Sequence, residues 1–252
     1  MSKETKNKHL MVCTPVHSEV SIHFMKACLD LQKECILNKI QVSFHLLKSS
    51  LVTQGRNLCV SDFMNSTADK MLFIDSDIEF STRSVFRLLE SPHDVSLIPY
   101  PMKTVNDAKF QKDLQKRPDD ASNTMGHIYP LTVLDPENIV PKDGYIEVSR
   151  GPTGMMMINR DVFERLEKEY DQLDIVQNTM VNGELVRREH YFNFFDSYYS
   201  PKTKTCTGED FYFCKLWTSM GGKIHALIDE YISHVGEYHY KGRFKDDFSK
   251  VE

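Results

Sequence analysis

Residues 70–80 read KMLFIDSDIEF, and this stretch decides the fold. Met71-Leu72-Phe73-Ile74 is an apolar run of strand length that stops at Asp75, and Thr82 to Leu89 then carries Val85, Leu88 and Leu89 at helical spacing. A buried strand therefore leads through an acidic turn into a helix. The same alternation continues upstream. Leu10 to Cys13 is a short apolar run stopped by Thr14-Pro15, after which Val20, Phe24, Ala27, Cys28, Leu31 and Cys35 recur every three or four residues. Val42, Phe44 and Leu46 alternate as in a strand, and Asn57 to Met64 reads as the next helix. Downstream, Val95 to Ile98 is a fourth strand. Such alternation predicts an α/β fold, a mainly parallel sheet with helices on both faces, and ligands held at the carboxyl ends of the strands. Function is expected just after Cys13, Ile74 and Ile98.

From Lys103 to about Asp143 the chain turns polar and loses periodicity, which predicts a flexible insertion. Strands return at Tyr145 to Val148 and Met155 to Ile158, followed by a helix from Asp161 to Tyr170. The aromatic stretch HYFNFFDSYY comes next, then a helix from Glu209 to about Met220, with strands near Ile224 to Ile228 and Tyr231 to His234. No repeat or linker divides the chain, so one domain is expected.

Composition narrows the classes. Of 252 residues, 40% are hydrophobic and 27% charged, with eleven glycines and ten prolines, which excludes collagen-like and low-complexity chains. Thirty-one basic against 36 acidic side chains leave a net charge of −5, so no sequence-wide positive field exists for nucleic acid or anionic lipid. The cysteines at 13, 28, 35, 59, 206 and 214 form no CxxC pair and read as reduced core thiols. With no apolar leader and no 18-residue uncharged run, no membrane span is expected, and the cytoplasm is the expected compartment.

Three constellations carry chemistry. In Asp75-Ser76-Asp77, two carboxylates two residues apart at the exit of a buried strand can turn toward one hard divalent cation, Mn²⁺ or Mg²⁺, whose other sites take water and phosphate oxygens. An exposed loop is the plain alternative. An EF-hand is excluded by Phe80 where glycine is required, whereas a haloacid-dehalogenase-type phosphatase using Asp75 and Asp77 remains an alternative. In the second, Glu209 and Asp210 open a helix, where they either complement its dipole or supply a general base. In the third, His234 and His239 compete as an imidazole ligand to the same cation, His239 lying in an HxxGxxK spacing with Gly242 and Lys245.

Lesser candidates have dual readings. Thr14-Pro15 is an ordinary turn or a nucleotide contact, and Arg56, at the opening of the second helix, is a surface charge or a partner of carbonyls and phosphate. Gly154 permits close approach to a sugar or forms a tight turn, while Trp217 and the aromatics Phe194, Phe195, Tyr198 and Tyr199 fill the core or stack on sugars.

The segments VCTP (12–15), GRNLCVSDFMNSTADKMLFIDSDIEF (55–80), PYPMK (99–103), GPTGMMMINRDVFERL (151–166), GEDFYFCKLWTSMGGKIHALID (208–229) and ISHVGEYHYKG (232–242), in this order, resemble the small single-domain glycosyltransferases of GT-A fold found in phages, large DNA viruses and bacteria. The resemblance runs from about Met11 to Gly242, and residues 103–143 lie outside it. It implies a nucleotide-binding half at about 8–102 and an acceptor and catalytic half at about 144–242. It also implies that Thr14, Pro15 and Arg56 contact the nucleotide of a UDP- or GDP-sugar, together with Ser76 and Lys103. Asp75 would meet the ribose or metal, Asp77 the metal directly, and His234, with His239 as fallback, would complete the metal site. Asp210, beside Glu209, would be the base of an inverting transfer to a glycan, lipid-linked or protein-linked acceptor, with Gly154, Phe195 and Trp217 on the sugar side. The retaining enzymes of this fold follow HxxGxxK with Pro-Trp, where this chain has Asp246-Asp247. The other readings are a sugar nucleotidyltransferase, disfavoured by TPVHSEV where a Gly-rich basic loop belongs, and a non-catalytic carbohydrate-binding protein.

Overall fold

The alternating apolar pattern along the chain resolves, in a computed structural model describing residues 9–117, 124–181, 184–236 and 240–248, into strands and helices laid in near-regular succession. In chain order they are β1 (His9–Val16), α1 (Ile22–Leu37), β2 (Gln41–Lys48), α2 (Val52–Met64), β3 (Lys70–Ile74), β4 (Ile78–Glu79), α3 (Thr82–Glu90), β5 (Val95–Leu97), α4 (Asp107–Lys116), β6 (Thr132–Val133), β7 (Tyr145–Arg150), β8 (Met155–Asn159), α5 (Arg160–Glu169), β9 (Thr179–Val181), β10 (Glu184–Val186), β11 (Tyr198–Ser200), β12 (Thr205–Thr207), α6 (Glu209–Ser219), β13 (Ile224–Leu227), β14 (Ile232–His234) and β15 (Tyr240–Gly242).

The central sheet has the order β2-β1-β3-β8-β5-β13-β7-β6. Strands β2, β1 and β3 pair in parallel, as do β5 and β13, whereas β8 runs antiparallel between β3 and β5, and β7 antiparallel between β13 and β6. Six of the eight strands thus point the same way. Both faces are covered. Along β1 and β3, Met11, Cys13, Met71 and Phe73 pack toward α2, α5 and α6, while Leu10, Val12, Leu72 and Ile74 pack toward α1 and α3. Among the described residues no helix is long and apolar enough to cross a membrane.

Helix starts follow local chemistry. Ser21 Oγ accepts the Phe24 N–H at α1, and Ser81 Oγ accepts the Ser84 N–H at α3. The second helix starts at Val52, five residues before the Asn57 expected from periodicity, so Arg56 lies inside it and does not open it. Gly55 conceals this start, because it reads as a breaker. A Cβ there would stand 3.1–3.2 Å from Ser49 and Pro15, a tight fit that those neighbours would have to ease.

The polar stretch 103–143 also departs from expectation, since it contains α4 and β6. Asn106 Oδ1 caps α4 by accepting the Lys109 N–H, and Asp113 accepts the Gly126 N–H, so polar contacts hold what the apolar pattern does not announce.

Two of the sugar-side candidates, Phe195 and Trp217, prove to be core, as does the neighbouring aromatic Phe194. Phe195 is fully buried, with its ring 5.3 Å from Phe73 and 4.8 Å from Phe213, and its N–H donated to Asn57 Oδ1. Trp217 is equally buried and donates Nε1–H to the Lys223 carbonyl. Neither offers a face to a ligand; Tyr198 and Tyr199, on β11, remain exposed. The six cysteines are free thiols, and all but Cys206 are buried.

Phe195→Ala is expected to lower unfolding free energy by about 3–5 kcal/mol in urea titrations, as for other deletions of a buried ring. Near wild-type stability would remove Phe195 from the core.

Candidate functional site

The carboxyl ends of β1 and β3 meet the amino end of α6 in one cleft, and Arg56 lies at its floor. Arg56 is 3% exposed, with Nη2 donating to Asp75 Oδ1 (2.9 Å) and Nε to Glu209 Oε1 (3.3 Å). Burial opposes the charge, yet Asp75 and Glu209 more than offset it and hold Arg56 ionised. Nη1 is buried with no hydrogen-bond partner among the described residues.

Asp75 is positioned by its backbone, since its N–H donates to the Gly154 carbonyl on the strand side of β8 (3.0 Å). Gly154 serves this approach: a Cβ there would stand 2.5 Å from Asp75 Oδ2 and 2.6 Å from Tyr100. The Tyr100 hydroxyl donates to Asp75 Oδ2 at 3.5 Å, and burial raises its pKa well above the usual phenol range.

Asp77 has different partners. Immediately after it, β4 pairs with β14 in a small sheet ordered β15-β14-β4, with Ile78 opposite His234 and the Val235 N–H donated to the Asp77 carbonyl (2.7 Å). This pairing carries His234 to Asp77, Nε2 standing 3.3 Å from Oδ2, while Lys103 Nζ reaches the same oxygen at 2.5 Å. Burial works against the Asp77 charge, but the hydrogen bonds and charges of His234 and Lys103 outweigh it and hold the carboxyl at about 2. His234 Nδ1 lies 3.0 Å from the Pro101 carbonyl. A carbonyl only accepts, so Nδ1 carries a proton and Nε2 is left facing Asp77.

In this structure Asp75 and Asp77 meet different partners. Arg56 claims Asp75, and among the described residues no group of three or more His, Cys, Asp or Glu side chains converges as a metal cage. Asp77 and His234 are the pair brought together. His239 lies outside the described residues.

At the start of α6, Gly208 is the N-cap, and Asp210 Oδ1 accepts the Phe211 N–H (2.7 Å). Burial first, and then the Glu209 charge, push Asp210 up to about 6. The two adjacent carboxylates are thus unlike: Glu209 is paired with Arg56, and Asp210 is not.

Two cavities meet at Asp77. One of about 470 Å³ is lined by Pro15, Ser49, Arg56, Asp75, Tyr100 and Asp210, among others; the second, of about 460 Å³, lies toward α1 and includes Ser18, Ser21 and Lys103. Both include His17, Ser76 and Asp77. Thr14 is fully buried and its side chain does not line them, in contrast to Pro15. Sequence reading passes over Tyr100 and His17, although both follow strands whose carboxyl ends were expected to carry function. A separate cavity of about 440 Å³ is lined by His93, Tyr145, Glu147 and His225. Its imidazoles stack at 3.5 Å, and burial lowers both, His225 to about 4, so neither carries charge at neutral pH to hold an anion.

No family model matches the chain, and no curated protein matches it. Among solved structures the chain is similar to A197 from STIV, with a TM-score of 0.47 and 15% identity over 91% of this chain and 86% of that one. It is also similar to a glycosyltransferase involved in the glycosylation of the major capsid of PBCV-1, with a TM-score of 0.33 and 11% identity over 65% of this chain and 66% of that one. A third likeness is to 4-diphosphocytidyl-2C-methyl-D-erythritol synthase from Anaerococcus prevotii, with a TM-score of 0.33 and 7% identity over 70% of this chain and 81% of that one.

Proposed function

We propose that the protein is a metal-dependent glycosyltransferase that moves a sugar from a nucleotide-diphosphate sugar to an acceptor hydroxyl, with inversion and with Asp210 as general base. One observation carries this reading: the cleft holds an Asp77–His234 pair suited to a cation together with a separate carboxylate, Asp210, pushed up to about 6. His234, with Nδ1–H spent on Pro101, turns Nε2 to the same space as Asp77 Oδ2. Carboxylate and imidazole suit Mn²⁺ or Mg²⁺ and leave sites for phosphate oxygens and water. Asp77 and His234 would hold such an ion, which would supply Lewis-acid stabilisation of charge on a departing diphosphate.

The chain's own groups divide the remaining work. Arg56 pairs with both Asp75 and Glu209 and holds the two carboxylates in place. Asp75 and Tyr100 offer an acceptor and a donor to ribose or sugar hydroxyls. Asp210, with Oδ1 on the Phe211 N–H, has Oδ2 to take the acceptor hydroxyl's proton as that oxygen attacks the anomeric carbon. A group near 6 is mostly ionised at pH 7 and remains a useful base.

The competing readings have less support. A phosphatase needs an unengaged nucleophile, and Asp75 has Arg56 on one oxygen and Tyr100 near the other. A carbohydrate-binding module needs aromatic platforms, and Phe194, Phe195 and Trp217 are in the core, while the exposed Tyr198 and Tyr199 line neither cavity at Asp77.

A thermal-shift panel of UDP, GDP, CDP and dTDP, each with and without Mn²⁺, is expected to show stabilisation by at least one diphosphate only when metal is present, and Asp77→Ala should abolish it. Stabilisation by none of the four would sink the reading. Asp210→Asn should lower kcat by roughly 10²–10⁴-fold, with the product's anomeric configuration inverted by NMR. The pH profile gives a further check: because the base must be deprotonated, kcat/KM should rise as pH passes upward through about 6. Glu209→Gln, by removing a neighbouring negative charge, should move that limb to lower pH. A limb unmoved by Glu209→Gln would assign it to another group.

A further inference from the structure

Asp77 Oδ2 is claimed by two nitrogens of different chemistry. His234 Nε2 can ligate a metal; Lys103, an ammonium with three donors and no lone pair, neutralises the carboxylate and cannot ligate. A divalent cation needs the same oxygen, and an ammonium 2.5 Å from it repels that cation. Lys103 and metal therefore compete for Asp77.

The backbone around Lys103 is fixed on both sides. Met102 N–H donates to the Ile128 carbonyl (2.8 Å), Asn106 N–H to the Gly126 carbonyl (2.9 Å), and Val105 bridges His127. Any exchange is therefore a swing of the side chain alone. Room for it exists, because Lys103 lines the 460 Å³ cavity with Ser18, Ser21, Ser76 and Gly236, and no other lysine or arginine lines it among the described residues. A diphosphate reaching Asp77 from this cavity would meet the Lys103 ammonium that lines it.

Resting on the metal-dependent reading above, the geometry points to Lys103 as an exchangeable counterion: it holds Asp77 until a divalent cation takes the carboxylate, then transfers its ammonium to the diphosphate. Metal weakens the hold of Asp77 on Lys103 and so favours diphosphate binding, and linkage makes the favour mutual.

The test is Lys103→Met, which keeps an unbranched side chain one atom shorter and without charge, with melting temperature confirming the fold. Mn²⁺ alone, followed by electron paramagnetic resonance of the free ion, should bind about fivefold or more tightly to the variant, since its competitor is gone. Inorganic pyrophosphate, titrated calorimetrically into protein saturated with Mg²⁺, should bind about fivefold or more weakly. Opposite signs in the two titrations support the exchange. Unchanged Mn²⁺ affinity, or weakening of both ligands together, overturns it. Asp77→Asn separates the two failures: if wild type and Asp77→Asn bind Mn²⁺ alike, the metal-dependent reading itself fails, whereas Mn²⁺ bound through Asp77 with no effect of Lys103→Met overturns the exchange alone.

Discussion

A guanidinium sealed from water needs counter-charge, and the site is organised around that need at Arg56. Its partners come from three places in the chain: Arg56 from α2, Asp75 from the end of β3, and Glu209 from the first turn of α6. Removing one member of such a buried set strands the others without compensation, at a cost of about 3–5 kcal/mol. The pairing therefore fixes the relative positions of α2, β3 and α6. It also separates the roles of adjacent acids, because Glu209 is paired with Arg56 while Asp210, desolvated and beside the Glu209 charge, holds its proton more tightly.

The scaffold supports this set from the opposite side. At the far end of α2, the Arg160 guanidinium donates to the carbonyls of Phe63, Met64, Ser66 and Ala68, satisfying acceptors that the helix terminus leaves open. Asn57, next to Arg56, exchanges hydrogen bonds with Phe195, so the aromatic stretch after β10 is tied to the same helix. The helix that carries the buried cation is thus held at both ends, and its orientation over the sheet is set by packing and polar contacts together.

A second, smaller sheet governs the other acidic residue. Strand β14 reaches Asp77 only because β4 follows it directly and pairs with β14, which turns a distant segment of chain into an immediate neighbour. The arrangement splits Asp75 from Asp77 chemically: one belongs to Arg56 and the other to His234 and Lys103. Asp77 stands where two cavities join, so whatever neutralises it governs the charge of both.

Much of this was legible in the chain. The run Met71 to Ile74 ending in acids, and the period-two and three-to-four spacings before it, depend on residue type and neighbours, and these determine strand, helix and buried face locally. They placed Asp75, Asp77, Glu209 and Asp210 at element ends, where backbone N–H groups and solvent access converge. Sequence also left real choices open. It could not say that Phe195 and Trp217 face inward, because an aromatic ring suits a core and a sugar equally well. It could not divide Asp75 from Asp77 either, nor join His234 and Lys103 to one of them. The division of the acids rests on contacts between residues 19 to 157 positions apart, and only the folded chain brings such groups to within hydrogen-bonding distance, where a few ångströms decide which charge is paired.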